Sequence, residues 1–341
     1  MDLLFVADPL EGFNVKKDST FAMMREAAQR GHALFACEVK DLSWQRGAQV
    51  AAHVREIALT GTTPRWFREV AAKGGAAGER RPLASFAAVV MRKDPPFDSE
   101  YFYATHLLEQ AEREGGRVFN KPAALRNHPE KLAILEFADV IAPTLVSKDP
   151  AELKRFHAEQ GDVIFKPLDG MGGAGIFRVG GDGMNLGSVV ETLNGGGAHT
   201  VMAQRYLPEI VAGDKRILVI AGVPVPFALA RIPQGNEIRG NLAVGGKGVA
   251  QPLSVRDREI AERIGPILAA RGLLLVGLDV IGDCLTEINV TSPTCFQEIG
   301  DQSGFDVAAA FVDALEAALA VPYLAASTAS RLPPLQRATP A

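Results

Sequence analysis

Gly277-Leu278-Asp279-Val280-Ile281-Gly282-Asp283-Cys284-Leu285-Thr286-Glu287-Ile288-Asn289-Val290-Thr291-Ser292-Pro293-Thr294 sets an aspartate, a glutamate and an asparagine into two apolar, β-branched runs around a Gly-Asp turn. The pattern predicts a β-hairpin. Carboxylates inside such runs are costly unless a cation meets them. Glu287 and Asn289 are two positions apart, so on a strand both leave the same face. Hard oxygen ligands on one face suit Mg²⁺, which is usually held by one or two carboxylates plus the phosphates of a substrate. Nucleotide chemistry is the implied direction.

Whether Asp279 joins them depends on the turn. A two-residue loop pairs Ile281 with Cys284, sets Asp279 across from Thr286 and turns Glu287 away. A three-residue loop, Gly282 to Cys284, pairs Ile281 with Leu285 and brings Asp279 opposite Glu287. The odd-length loop is expected, because of the two it alone lets the three oxygen ligands converge.

Upstream lies Lys166-Pro167-Leu168-Asp169-Gly170-Met171-Gly172-Gly173-Ala174-Gly175-Ile176. Its glycines, set between the expected strands Val163 to Pro167 and Ile176 to Val179, leave backbone N–H groups free to face phosphate oxygens. Lys166 ends the first of these strands, where its charge reaches a phosphate. The spacing is neither a Walker A loop nor a Rossmann fingerprint. A hairpin chosen for flexibility alone is the other reading; beside a metal-ligand set, phosphate binding is favoured. Gln204-Arg205-Tyr206-Leu207-Pro208 reads as an ordinary strand exit or as an edge offered to adenine. Arg216, in Asp214-Lys215-Arg216, reads as a carboxylate or phosphoryl clamp or as part of a solvated charge cluster. The glycine-rich segment 232–249, with Arg239, Asn241 and Lys247, has little that forms a core, and is expected to be a lid.

The wider chain is consistent with this. At 341 residues and 47% hydrophobic, it can bury a large core divided among two or three domains. Its net charge of −4 offers no general attraction to nucleic acid or anionic membrane. Cys37, Cys284 and Cys295 suggest neither a disulfide framework nor a zinc site, and a cytoplasmic setting is expected. The six histidines show no paired metal spacing. Strands at 3–7, 33–39 and 87–91 alternate with helices at 21–30 and 100–114, which implies an α/β layer with a mainly parallel sheet. A helix at 130–137 follows. Strands at 215–221, 225–231 and 276–290 and helices at 255–271 and 307–319 make an α+β unit. The expected divisions are 1–122, 123–200, 201–321 and a flexible tail at 322–341.

These residues resemble the ATP-grasp superfamily, and closely the bacterial glutathione synthetases. The matching segments are KKDSTFAM at 16–23, MRKDPPFD at 91–98, KPLDGMGGAGIFRV at 166–179, DKRILVIAGVPVPFALARIPQ at 214–234, RGNLAVGG at 239–246 and GLDVIGDCLTEINVTSPTC at 277–295. The resemblance runs from residue 1 to about 320, and matches least at 64–82. It implies an ATP-grasp fold with an N-terminal α/β domain, a small lid and a C-terminal metal-bearing domain. It implies ATP-dependent ligation of glycine to γ-glutamylcysteine by a homotetramer; a D-alanine or glutamate ligase of the same superfamily is the alternative.

Carried over residue by residue, Lys131 and Lys166 meet the nucleotide phosphates under Gly170, Gly172 and Gly173. Gln204, Tyr206 and Leu207 line the adenine pocket, and Asn241 lies on the nucleotide side. Asp279, Glu287 and Asn289 hold Mg²⁺ or Mn²⁺. Arg216, Arg231, Ser292, Pro293 and Thr294 face the dipeptide and the transferring phosphoryl group. Lys17, Asp18, Ser19 and Arg92 are expected on the substrate side.

Overall fold

The computed structural model describes residues 1–61, 65–70, 78–242 and 245–321. The expected tail at 322–341 lies outside the described residues, as does part of the 64–82 segment. Among the described residues no helix is long and apolar enough to cross a membrane.

The first unit is built on the apolar runs that read as strands. It comprises β1 (Asp2–Val6), α1 (Ser19–Gln29), β2 (Ala33–Cys37), β3 (Leu42–Ser43), β4 (Ala51–Leu59), β5 (Phe67–Glu69) and β6 (Glu79–Pro82). It continues with β7 (Ala88–Met91), α2 (Ser99–Arg113) and β8 (Val118–Phe119), and α3 (Pro122–Asn127) follows. Asp18 caps α1 by accepting from Phe21 N at 2.7 Å, and Asp98 caps α2 by accepting from Tyr101 N at 2.9 Å. β2, β1, β7 and β8 are parallel, whereas β4 adds antiparallel to β2. The parallel expectation therefore holds for the heart of this sheet; the two other sheets are antiparallel throughout.

The second unit contains β9 (Thr144–Ser147), α4 (Pro150–Gln160), β10 (Val163–Pro167), β11 (Phe177–Val179), α5 (Leu186–Asn194) and β12 (Val201–Arg205). β12 was expected to open the next unit; it pairs instead with β10 and β9. Phe165, Val163, Val201 and Ala203 are fully buried in a small core of this unit's own, each large side chain contributing about 1.5–3 kcal/mol on burial. The helix expected at 130–137 is replaced by a 3-10 run, Ala133–Val140, broken at Phe137 (φ −118°, ψ 46°). Glu130 stays out of it because its carbonyl accepts from Ile288 N at 3.0 Å.

The third unit has β13 (Asp214–Ile220), β14 (Val223–Ile232), β15 (Lys247–Pro252), α6 (Val255–Ala270), β16 (Leu275–Ile281), β17 (Cys284–Asn289), α7 (Phe296–Ser303) and α8 (Val307–Ala320). Its sheet runs β15-β14-β13-β16-β17. The end of the expected lid segment is thus the edge strand β15 rather than loop. The first and third units share a core, with Leu3, Phe5 and Val90 clustering with Leu218, Phe296 and Phe311. Asn120 fastens them: its amide nitrogen donates to Leu275 O (2.8 Å) and Val290 O (2.9 Å), and its side-chain oxygen accepts from Leu275 N (3.0 Å).

Candidate active site

The hairpin differs from expectation and reaches the same end. Ile281 pairs with Cys284, so the turn is the two-residue Gly282-Asp283 form. Read alone, that parity separates Asp279 from Glu287. The strand then carries one extra residue: Val280 pairs with Leu285, and the next pair is Asp279 with Glu287, leaving Thr286 as a bulge. Thr286 Oγ1 donates to Asp279 O at 3.1 Å and fixes the bulge. Asp279, Glu287 and Asn289 therefore share one face of the sheet.

That face forms the floor of a cavity of about 340 Å³, at the low end of the usual range for small-molecule sites. Lys131, Lys166, Gly170, Gly172 and Gly173 line it from the second unit, with Gln204, Tyr206 and Leu207 at the exit of β12. Arg216, Arg231, Asn241, Asp279, Glu287, Asn289, Ser292, Pro293 and Thr294 line it from the third. Positions far apart in sequence thus converge.

Lys166 Nζ lies 3.5 Å and Lys131 Nζ 3.7 Å from Glu287 Oε1. Burial holds the Lys166 ammonium below the usual lysine range, although Glu287 pulls the other way. Lys131 also donates to Gly170 O at 2.6 Å, tying it to the glycine-rich loop. Gly173, at φ +85°, abuts the opposite loop: a Cβ there would stand 2.9 Å from Asn241 Oδ1 and 3.1 Å from Arg239 Cδ. Arg239 NH1 donates to Gly173 O at 3.0 Å, so the two glycine-rich segments meet over the cavity.

Asp279 is 3% exposed and faces Arg216 on the neighbouring β13. Arg216 Nε and NH2 donate to its two oxygens at 2.5 and 3.0 Å, and Arg231 NH2 lies 2.9 Å from Oδ2. Burial would raise this carboxyl; the two guanidiniums overcome that and hold it well below the usual carboxylate range. Arg231 also meets Asp214 Oδ2 at 2.5 Å. Asp214 Oδ1 is buried without a partner, and burial, with Asp279 and Glu287 nearby, pushes this carboxyl up to about 6 despite Arg231.

The residues fit a divalent cation in part. Glu287 makes only long contacts to lysines, and Asn289 uses its amide nitrogen on Gly277 O at 3.4 Å, leaving carbonyl and carboxylate oxygens as acceptors. Asp279 is already committed to two arginines. Among the described residues no three His, Cys, Asp or Glu side chains converge to hold a metal unaided, as expected where substrate phosphates complete the coordination.

Four expected residues stand apart. Lys17 is exposed, Asp18 caps α1, and Ser19 accepts from Phe296 N at 3.2 Å. Arg92 is buried, donating to Thr20 Oγ1 and Pro293 O, each at 3.0 Å. None of the four lines the cavity. Conversely, Asp94, Glu130 and Asp214 line it and were not singled out. For Asp214 there was a signal, its position two residues before Arg216 on one strand face.

Three units, with two antiparallel sheets and a glycine-rich loop enclosing a lysine-rich cleft, define the ATP-grasp class. Solved structures agree on the fold: a D-cycloserine synthetase, DcsG, superposes with a TM-score of 0.63 at 17% identity, covering 94% of this chain and 100% of that one. The ATP-grasp ligase PsnB, solved with a peptide precursor variant, Mg and ADP, superposes with a TM-score of 0.59 at 21% identity, covering 93% and 97%.

The family models for the prokaryotic glutathione synthetase N-terminal domain and ATP-grasp domain match residues 1–126 and 130–304. A glutathione synthetase of Ralstonia nicotianae is 61% identical over 320 residues, 93% of this chain and 96% of that protein. One from Neisseria meningitidis serogroup B is 55% identical, covering 93% and 98%, and one from Shewanella oneidensis is 50% identical, covering 92% and 98%. The chain belongs to the prokaryotic glutathione synthetase family, and its chemistry is ATP-dependent carbon–nitrogen ligation.

Proposed function

We propose that the cleft phosphorylates the cysteinyl carboxylate of γ-glutamylcysteine with ATP and passes the acyl group to glycine, giving glutathione, ADP and phosphate. The approach of Lys131 and Lys166 to Glu287 Oε1 supports this reading most. It puts two cations and a carboxylate with acceptor capacity to spare at one point, as a metal-bound polyphosphate requires. A carboxylate is a poor acylating agent because an oxide would have to leave. Attack of its oxygen on the γ-phosphorus forms the acyl phosphate and releases ADP; the neutral amine of glycine then attacks that carbonyl carbon, sheds a proton and expels phosphate.

The chain's own residues position and neutralise. Lys131 and Lys166 take the nucleotide phosphates beneath the glycine-rich loop. Gln204, Tyr206 and Leu207 hold the adenine, aided by Ile164 and Ile281 on the apolar wall. Arg178 stacks 3.7 Å over the Tyr206 ring and stiffens that end. Arg216 and Arg231, aimed by Asp279, face the dipeptide carboxylate and the oxyanion that develops on attack. Glu287, Asn289 and the remaining acceptor capacity of Asp279 would hold Mg²⁺ or Mn²⁺, which would supply charge neutralisation at the phosphates. The contact of Arg239 with Gly173 closes the cleft and excludes water from the acyl phosphate. A cytoplasmic homotetramer is part of the same reading.

The test is phosphate release from ATP with γ-glutamylcysteine and glycine, supplied separately and together. Release that needs both, matched by glutathione, is expected. Turnover with D-alanine or a glutamate acceptor instead would keep the mechanism and replace the substrate.

A further inference from the structure

Adjacent hydroxyls after β17 each carry a carboxylate brought from elsewhere in the chain. Thr291 Oγ1 donates to Glu130 Oε1 at 2.8 Å, and Ser292 Oγ donates to Asp94 Oδ1. Both carboxylates line the cleft, and among the described residues neither is ion-paired. The nearby cations are committed elsewhere: Lys93 to Asp8, Lys131 to Gly170 and Glu287, and Arg92 to Thr20 and Pro293. Tyr101, only 2% exposed and with a hydroxyl that has no hydrogen-bond partner, lines a neighbouring hollow with Asp8 and Lys93 and not the cleft. The charges it feels are Glu130 first, then Arg92, Asp94 and Asp8.

Two carboxylates on one cleft, with no cation bonded to them, make a receptor for a compact donor. A primary ammonium presents three donors in a small volume. We propose that Asp94 and Glu130, held by Ser292 and Thr291, seat the glycine acceptor by its ammonium and take the proton that the nitrogen sheds before it attacks. The proposal rests on the functional reading above and deepens it. Both substrates carry an ammonium; the main-chain bond from Ile288 to Glu130 O fixes Glu130 beside the metal-ligand strand. Ile288 stands between Glu287 and Asn289, so the Glu130 seat is at the phosphoryl end of the cleft. The donor's α-ammonium is a dipeptide's length from its reacting carboxylate.

Steady-state kinetics of the full-length protein test this with Glu130→Gln and Asp94→Asn. Losing a charged hydrogen-bond partner should raise KM for glycine about 10- to 100-fold in both. KM for ATP and for γ-glutamylcysteine should stay within about twofold, a split that general loosening of the fold would not produce. Methylamine, an ammonium without a carboxylate, should compete with glycine in the wild type and lose that competition in Glu130→Gln. If the acidic variants fold poorly, Thr291→Val should show the same split. An unchanged glycine KM, or a rise confined to γ-glutamylcysteine, would overturn the seat while the reaction stands. A wild-type protein that makes no glutathione would sink the functional reading, and this proposal with it.

Discussion

Asp279 stands directly opposite Glu287 although the turn joining their strands has only two residues. The bulge at Thr286 restores the parity that the turn removes. The two carboxylates meet at one site yet sit in different environments, with side-chain exposures of 4% for Asp279 and 21% for Glu287. They should therefore fail differently when neutralised.

Glu287→Gln keeps size and removes the charge facing Lys131 and Lys166. Turnover should fall at least about a hundredfold. The folding midpoint should barely move, since these contacts are long and partly solvated. Unaltered kcat would remove Glu287 from the metal set.

Asp279→Asn leaves two buried guanidiniums without their shared counter-charge. A loss of about 3–5 kcal/mol in stability should accompany loss of turnover, measured by denaturant unfolding of the unliganded protein. A midpoint like that of Glu287→Gln would mean that Arg216 and Arg231 do not depend on Asp279.

Gly173→Val forces a branched side chain into a positive-φ position against Asn241 and Arg239. Arg239→Ala removes the bond to Gly173 O. Both should raise phosphate release relative to glutathione formed, because water reaches the acyl phosphate. A ratio that stays at unity in both would count against closure by these loops.

Acid should act on the unliganded protein in two stages. The Asp214 carboxyl, pushed up to about 6 from 3.8, binds its proton more readily folded than unfolded. It opposes folding above pH 6, and that opposition fades as pH falls from 6 towards 3.8. Asp279 has the opposite sign: its stabilisation is present above its unfolded value of 3.8 and is lost as pH falls below it. Thermal midpoints of Asp214→Asn should lack the first stage and keep the second. An identical pH profile to wild type would remove Asp214 as its source.

The ligand-bearing face of β17 was legible because strand alternation is local: Glu287 and Asn289 share it in any β structure. So was the hairpin of β10 and β11, set by neighbours in the chain. Turn parity was not, since a longer loop and a bulge give the same facing, and packing against neighbours chose between them. Lys17, Asp18 and Ser19 came from the resemblance, and the fold uses Asp18 and Ser19 to cap α1 and to join it to α7.

Local pattern therefore specified which residues carry chemistry and which side of a strand they leave. The pairing of Arg216 with Asp279 required β13 to lie beside β16, and the cleft required Asp94 of the first unit to meet Glu130 and Lys166 of the second. Only burial of the shared core brings such distant positions within a few ångströms, because contact energies between them act after the chain has closed the loops between them.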